Sequence, residues 1–517
     1  MFKEGFFIMR KKNIFASAFI LTLAGIITKF LGFFYRIYMT NVIGAEGLGL
    51  YQIITPIYAL AWSIACSGFT VTISKLVSAE HAKKEYGNMG RIVKQCIFIT
   101  GGVGALLSVL IFLFADIIAI YLLKDVRVTY SLKILALCFP FMAIGSTVNG
   151  YFFGLQEAVV PATSQVLEQS LRIVTIFLFA GFFVNKGIEY AILLAVLGVL
   201  IGEFISCVYI VFSYKRYKDK YSFKNKPKTS SRKIFLLIIN MATPLTLNHV
   251  TGSFLSTIEN SLLPQRLQLF GLSSSDAMIA FGQLSGMAIP LIYFPTAFLS
   301  SLSSSLLPAV SEAVTVNKLE NLKGIMRESF LFTSILSFGS ACLFVTFSHE
   351  LGALIYNQNI SKLLFVLGLM CPIIYSQFIV IGILNGLGEQ TYIFKIQIFI
   401  AIMTILNVYF LVPVYGMNAY LFDWFLTALI ARYLYMAKLK NITDIKFNNM
   451  NLYFYPFLAA VGASGLTKII FNKFISENFS NYVELILSAI ILIAVYLFFI
   501  IFSGCVSIKD IKRILKI

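Results

Sequence analysis

Long apolar segments follow one another along almost the whole chain, separated by short polar links. Each segment is about 20 residues or longer, enough for a helix to cross the roughly 30 Å hydrocarbon core of a membrane. Barrel strands would be about half as long and would alternate apolar with polar residues. The pattern therefore predicts an all-α integral membrane protein with about 14 spans. The predicted spans cover residues of about 13–39, 50–78, 92–122, 131–154, 160–184, 188–213, 233–262, 277–305, 327–347, 361–386, 391–412, 417–438, 452–471 and 483–503.

The composition supports a membrane protein. Hydrophobic residues make up 59% of the 517 residues, and the mean hydropathy is +0.86. Average soluble proteins are about 45–50% apolar, so this chain has more apolar surface than a soluble core can bury. The segment Leu485–Phe502 has no charged residue at all.

The positive charges predict the orientation of the spans. With the N-terminus inside, 27 of the 41 Lys and Arg residues fall in or next to cytoplasmic segments. Such an excess is typical of cytoplasmic loops. It places both termini, including the basic cluster Lys509–Lys516, on the cytoplasmic side of the cell membrane. It also accounts for the net charge of +18 without a nucleic-acid partner. Seven basic residues fall outside, namely Lys124, Arg127, Lys133, Lys186, Arg266, Lys362 and Lys473.

The N-terminal basic cluster Arg10–Lys12 precedes an apolar run, as in a signal peptide. The run has no A-x-A cleavage site and contains Lys29, which favours a retained first span. Both Met1 and Met9 remain open as the start of the chain.

A unit of about 230 residues occurs twice. Five positions recur at an offset of 232 and three at an offset of 233. Internal repeats in a multi-span protein are typical of secondary transporters. The paired residues are Pro140/Pro372, Gly150/Gly382, Gly154/Gly386, Leu155/Leu387, Glu157/Glu389, Val77/Val310, Ser78/Ser311 and Asn88/Asn321.

The repeat predicts two six-helix lobes and two appended helices. The paired glycines form G-x-x-x-G, which permits close helix contact in lipid, and the paired prolines can kink their helices. The link Tyr214–Lys233 carries nine basic residues and one acidic residue. The predicted divisions are an N-lobe at 1–213, a basic cytoplasmic linker at 214–233, a C-lobe at 234–440, and the last two spans with a basic tail at 441–517.

Charged residues inside spans are costly and need a reason. In the first span, Thr22, Gly25, Lys29, Gly32 and Arg36 are spaced by three or four residues and share one helical face. We expect this stripe to face a water-filled cavity.

Further polar groups lie in later spans. Glu168 and Arg172 are four residues apart in the favourable order for an ion pair. They are either a self-neutralised structural pair or a gate on the substrate path. Asn248 and Glu259 lie on the polar side of the seventh span, together with Pro244. Glu203, Asp423 and Arg432 have no obvious partner nearby in sequence. Of these, Glu259, Glu203 and Asp423 are candidates for ion coupling.

The chemistry of an enzyme is not indicated. The chain has no Walker A loop, H-E-x-x-H or G-x-S-x-G motif. The seven cysteines include no C-x-x-C pair, and six lie within apolar spans. We therefore expect no catalytic residue, no metal and no cofactor.

Two segments resemble a known family. Lys29–Arg36 (KFLGFFYR) is followed by Asn41–Gln52 (NVIGAEGLGLYQ), and Asn149–Gln156 reads NGYFFGLQ. They resemble the polysaccharide exporters of the multidrug/oligosaccharidyl-lipid/polysaccharide (MOP) superfamily. Within it the chain is similar to the branch of stage V sporulation protein B and the lipid II flippases, over essentially its whole length.

The resemblance implies a flippase for a lipid-linked sugar, such as the undecaprenyl-pyrophosphate precursor of peptidoglycan, in cell-wall or spore-cortex synthesis. Lys29 and Arg36 match cationic positions of the lipid II flippases, and Arg266 and Asn248 are further substrate-binding candidates. The second span departs from those relatives, since Ser63–Phe69 (SIACSGF) has no charge. In the family, the last two helices form an apolar groove for the lipid tail.

The implied partners are the lipid-linked oligosaccharide and membrane lipid, with Na⁺, H⁺ or the membrane potential as the driving force. We expect a monomer. Two alternatives stay open. A cation-coupled multidrug antiporter of the same superfamily would need an acidic cavity, and a non-transporting scaffold for envelope synthesis would tolerate the loss of the intramembrane charges.

Overall fold

A computed structural model describes residues 2–220, 227–315, 319–443, 450–471, 473 and 481–505. These residues form helices and no strand. The basic cluster Lys509–Lys516 and the middle of the predicted linker lie outside the described residues. The helices are α1 Phe2–Trp62, α2 Gly68–Ala82, α3 Tyr86–Ile117, α4 Thr129–Ala136, α5 Phe139–Gly154, α6 Val159–Phe183, α7 Ile188–Lys220, α8 Ser231–Leu269, α9 Ser274–Phe281, α10 Ile289–Tyr293, α11 Thr296–Thr315, α12 Leu319–Thr346, α13 Ser348–Tyr356, α14 Ser361–Gly386, α15 Gln390–Phe410, α16 Val412–Tyr415, α17 Met417–Thr443, α18 Tyr455–Ile470 and α19 Asn481–Phe502.

Each of the 14 predicted spans falls on helical structure. Ten helical stretches of the described residues are long and apolar enough to cross a membrane, or 11 if Val126–Ala136 and Phe139–Gly154, bent by 45°, form one span. The stretch Leu23–Ala82 counts once in that number, although its 60 residues would extend about 90 Å as one straight helix. Gly44 interrupts it with φ 72° and ψ 179°, so it holds the first two predicted spans. The twelfth and thirteenth predicted spans lie on α17 and α18, which are not among the ten stretches.

The helices form two compact units, residues 1–282 and 283–517. In the first unit, α8 packs against α1 and α2, and the Thr257 hydroxyl donates to the Pro56 carbonyl at 3.3 Å. The residues before α8 are also held there, since Arg91 donates to the Thr229 carbonyl at 2.6 Å. In the second unit, the appended helices α18 and α19 pack against α12. The lobe boundaries drawn from the repeat remain a prediction.

The repeated glycines are close-packing positions in both units. A Cβ atom built on Gly154 would lie 2.7 Å from the Ser74 carbonyl oxygen and 2.9 Å from the Val77 Cβ. One built on Gly386 would lie 3.0 Å from the Leu307 carbonyl oxygen and 2.8 Å from the Val310 Cβ. In each unit, the repeated glycine and the repeated valine are therefore the two sides of one helix contact.

A hydrogen bond beside this contact is repeated as well. The Thr70 hydroxyl on α2 lies 3.5 Å from the Ser146 carbonyl oxygen on α5, and the Ser303 hydroxyl on α11 lies 2.9 Å from the Phe378 carbonyl oxygen on α14. The two hydroxyls are 233 positions apart and the two carbonyls 232, as in the sequence echoes. The repeat therefore includes backbone contacts that residue identity alone does not show.

We expect Gly154→Ala to lower the thermal stability of the purified protein. Its Cβ would collide with the α2 backbone, and overpacking of this kind costs about 1–3 kcal/mol. Gly145→Ala, on the same helix, is the control, because its Cβ would lie 3.9 Å from the nearest atoms and alanine favours a helix over glycine by about 1 kcal/mol. The melting temperature in detergent measures both. A Gly154→Ala protein as stable as the control would contradict the proposed contact.

Candidate functional site

A polar cavity lies among the membrane-spanning helices of the first unit. Its volume is about 290 Å³, and its walls come from α1, α4, α6 and α7. The charged residues that line it are two arginines, Arg36 from α1 and Arg172 from α6. The other lining residues are Gly32, Tyr35, Met39, Leu48, Tyr51, Gln52, Ile54, Thr55, Tyr58, Leu135, Gln169, Val196 and Val199.

Arg172, which lines the cavity, forms an ion pair within its own helix. Its guanidinium donates to Glu168 at 2.9 Å, and the two side chains are 15% and 21% exposed. This is the ion pair that the i, i+4 spacing predicts. The Nε of Arg172 is buried and has no hydrogen-bond partner within the part of the chain that the structure describes. A buried donor without a partner is costly, so Glu168 alone does not satisfy this guanidinium.

Two glycines of α7 set the position of this pair. A Cβ on Gly198 would lie 3.2 Å from the Arg172 carbonyl oxygen, and one on Gly202 would lie 2.9 Å from the Glu168 carbonyl oxygen. Gly198 and Gly202 form a third G-x-x-x-G, which brings the α6 backbone close to α7. This pair has no counterpart in the repeat and was not among the predicted contacts, although its four-residue spacing is visible in the sequence.

Glu203, next to Gly202, is bound by a residue of the cavity wall. The Tyr58 hydroxyl, which lines the cavity, donates to its carboxylate. Glu203 therefore has a partner 145 positions away in the sequence, and the aromatic residues of α1 were not among the candidates. Their sequence signal is the row of tyrosines Tyr35, Tyr51 and Tyr58, all on cavity-facing positions.

The remaining predicted site residues lie apart from this cavity. Lys29 is exposed on α1, two helical turns before Arg36, and Asn248 is exposed on α8. Glu259 and Arg266 are half-buried, also on α8. None of these four lines the cavity. Their roles as substrate-binding or ion-coupling residues remain predictions.

Two intramembrane charges belong to the second unit. Asp423, 2% exposed, accepts a hydrogen bond from Asn407 on α15. Arg432 donates to the Pro372 carbonyl oxygen at 2.8 Å and to the Ser376 hydroxyl, and it lies 5.1 Å from the centre of the Tyr453 ring. Both partners lie outside the charged residue's own helix, so sequence spacing does not show them.

The uncharged segment of the second span is a π-helical turn, Ser63–Ser67. Ser63 is buried and its hydroxyl lies 2.5 Å from that of Ser253 on α8. Turns of this kind inside helices are frequent at functional sites. The uncharged segment therefore makes a hydroxyl contact between two helices.

Metal ligation finds no support in the described residues, since none of their His, Cys, Asp and Glu side chains form a group of three that could hold an ion. The seven cysteines are free and buried.

A family model described as "Polysaccharide biosynthesis protein" matches residues 14–314. The chain belongs to this polysaccharide biosynthesis family. Stage V sporulation protein B of Bacillus subtilis (strain 168) is 30% identical to it over 354 residues, 68% of each chain. Lipid II flippase MurJ of the same organism is 27% identical over 316 residues, 57% of each chain. These relatives confirm the predicted branch of the family.

Solved transporters of the MOP superfamily share the fold. An inward-facing MATE family multidrug resistance transporter matches with a TM-score of 0.68 and 13% identity, over 83% of this chain and 98% of that one. A MOP superfamily transporter from Pyrococcus furiosus, described as having a binding pocket of reverse polarity, matches with a TM-score of 0.58 and 13% identity, over 83% and 96%. The family member is thus a multi-pass membrane protein, and its relatives are transporters and a flippase rather than enzymes.

We expect the Glu168–Arg172 pair to be strongly coupled. Arg172→Gln leaves Glu168 as a half-buried charge without its partner, and breaking a buried pair from one side costs about 3–5 kcal/mol. The double variant Glu168→Gln/Arg172→Gln should cost less than the sum of the two single variants. Free energies of unfolding in detergent give the coupling energy.

The exposed pair Glu320–Lys323, at 2.9 Å with side chains 86% and 49% exposed, is the control for this cycle. Exposed pairs typically contribute about 0–1 kcal/mol, so its coupling should be close to zero. Additive effects of the substitutions at 168 and 172 would contradict the interpretation.

Proposed function

We propose that this family member flips a lipid-linked sugar across the cytoplasmic membrane by alternating access. The observation that carries the proposal is the cavity in the first unit, where both charged lining residues are arginines. A pyrophosphate cannot cross hydrocarbon unaided, because the transfer of an ion into a medium of low dielectric constant is very costly. Arginine is well suited to hold it, since its planar guanidinium forms paired hydrogen bonds with phosphate oxygens.

The substrate we propose is an undecaprenyl-pyrophosphate-linked peptidoglycan precursor similar to lipid II. Its support is the similarity to stage V sporulation protein B and to lipid II flippase MurJ. Arg36 and Arg172 would hold the phosphates, with hydroxyl and amide groups of the cavity tyrosines and glutamines as further donors. Lys29, Arg266 and Asn248 would contact the headgroup outside the cavity. Both termini would be cytoplasmic.

The acidic residues near the cavity favour this function over drug export. Glu168 is bound by Arg172 and Glu203 by Tyr58, and neither carboxylate is part of the cavity lining. A cationic drug would therefore meet arginines first. We propose Glu203, Glu259 and Asp423 as the residues to examine for coupling to Na⁺, H⁺ or the membrane potential. Drug-resistance profiling of a strain that lacks the protein separates the two functions.

We expect Arg36→Ala to reduce flipping strongly. Loss of a hydrogen bond to a charged group costs about 1.5–3 kcal/mol, which is roughly tenfold to a hundredfold in affinity. The measurement is the accessibility of the lipid-linked precursor on the outer face of cells that depend on this protein. Lys29→Ala is measured in parallel, and Lys75→Ala, at an exposed position in the middle of α2, is the control.

Unchanged flipping in both Lys29→Ala and Arg36→Ala at normal expression would rule out the proposed role of the first helix. If loss of all the intramembrane charges also leaves growth complementation intact, a scaffold without transport explains the protein better. The lipid-linked intermediate that accumulates inside when the protein is depleted, during growth or during sporulation, identifies the substrate and the stage.

A further inference from the structure

A second concave surface of the first unit is almost entirely apolar. It has a volume of about 490 Å³, within the range of roughly 300–1,000 Å³ that is usual for ligand pockets. It is open on one side, where Leu137 and Phe204 are 41% and 45% exposed. Its walls include Ser108 of α3, Leu137, Pro140 and Phe141 at the bend between α4 and α5, and Leu200 and Phe204 of α7. We call this surface the proline groove.

The groove exists because a helix bends there. The segments Val126–Ala136 and Phe139–Gly154 meet at 45°, and Pro140 lies in the first turn of the second of them. Phe141 and Phe204 pack edge to face across the groove wall, with their ring centroids 5.0 Å apart. The bend draws the chain away from its neighbours and leaves a space with aromatic and aliphatic walls.

The second unit differs at the corresponding proline. Pro372, the repeat of Pro140, lies inside the continuous helix α14. Arg432 of α17 occupies the space beside it and donates to the Pro372 carbonyl oxygen at 2.8 Å. The helices α7 and α17 hold the same place in their repeats, and each follows a glycine with positive φ, Gly187 and Gly416. The surroundings of the repeated proline therefore differ between the two units.

The depth of the groove limits what can occupy it. Leu200 lies 12 residues after Ile188, Leu137 lies 11 after Val126, and Ser108 lies 15 before Leu123, or about 16–22 Å from the span ends. The hydrocarbon core is about 30 Å thick, and the whole bilayer about 40–45 Å. The groove thus opens at the centre of the membrane, where hydrocarbon chains are available and water and headgroups are not.

The cavity of the candidate site, which Arg36 and Arg172 line and which we call the arginine cavity, shares two wall elements with the groove. On α7, Val196 and Val199 line the cavity, and Leu200 and Phe204 line the groove. On the bent segment, Leu135 lines the cavity and Leu137 the groove. A charged site and an apolar site thus lie on neighbouring faces of α7 and meet at the same bent segment. A ligand with an anionic end and a long hydrocarbon chain matches both.

We propose that the proline groove binds a segment of the isoprenoid chain of the lipid whose phosphates occupy the arginine cavity. The choice of chain rests on the proposed function. The site is distinct from the groove that the family resemblance implies for the last two helices, which belong to the second unit. A methyl-branched, unsaturated chain fills a wide pocket better than a straight saturated chain, and its double bonds pack against the rings of Phe141 and Phe204.

The test uses the full chain in lipid vesicles with a polyprenyl phosphate that carries a photoactivatable group midway along its chain. Cross-links should map to residues around Phe141 and Phe204. Leu200→Trp fills the groove and should reduce this labelling about tenfold, equivalent to ~1.4 kcal/mol of binding. Leu178→Trp is the matched control, because Leu178 lies on the neighbouring helix α6, is 66% exposed and does not line the groove.

A second variant, Leu137→Trp, enters the groove from the opposite wall at a position that is already 41% exposed. It protects the test against a folding defect of Leu200→Trp, and the melting temperature of each variant is recorded. Labelling that survives in both groove variants would overturn the proposal. So would equal labelling of the groove by a phospholipid with the photoactivatable group on its acyl chain, because the occupant would then be ordinary membrane lipid.

Two further arms separate the groove from the proposed function. With Arg36→Gln, labelling by polyprenyl phosphate should fall, whereas labelling by the uncharged polyprenol should not. If Arg36→Gln has no effect but both groove variants abolish labelling, the groove stands and the phosphate assignment fails. If Arg36→Gln reduces labelling but the groove variants do not, the phosphate site stands and the groove is wrong.

Discussion

Helix backbones touch in this protein at glycines, and the other features depend on this contact. In a membrane, the lipid chains are as apolar as the side chains, so burial alone does not pull helices together. Association relies on van der Waals contact and on hydrogen bonds between helices. Gly150 and Gly154 bring α5 onto α2, and Gly382 and Gly386 do the same for α14 on α11. The same close backbone contact thus holds a pair of helices together in each unit.

A similar glycine contact positions the ion pair of the candidate site. Gly198 and Gly202 place α7 against the carbonyl groups of Arg172 and Glu168. This contact fixes the backbone that carries the ion pair. The next residue along α7, Glu203, accepts a hydrogen bond from Tyr58, which lines the cavity. Charges in a low-dielectric region are tolerated when each has a defined partner. Close packing of the backbone supplies the positional accuracy that such partners require.

Much of the fold follows from the sequence, because span length, charge distribution and a repeated glycine pair are local or periodic signals. The pairing of Glu168 with Arg172 is also local and was predicted. The partners of Glu203, Asp423 and Arg432 were not, since they come from other helices, and only the three-dimensional packing brings Tyr58, Asn407 and Pro372 next to them. The stripe on α1 was partly informative, since Arg36 lines the cavity and Lys29 does not.

The duplicated proline shows how two copies of one fold can diverge. Pro140 stands where the fourth span bends, whereas Pro372 lies within an unbroken helix and has its carbonyl bound by Arg432. A proline cannot donate to the carbonyl four residues before it, which removes a hydrogen bond from the interior of α14 but costs little in the first turn of α5. The chain bends next to the first proline, and the second proline has its own carbonyl bound by a cation. The same residue thus has different surroundings in the two repeats, so the two units are not structurally interchangeable at this position.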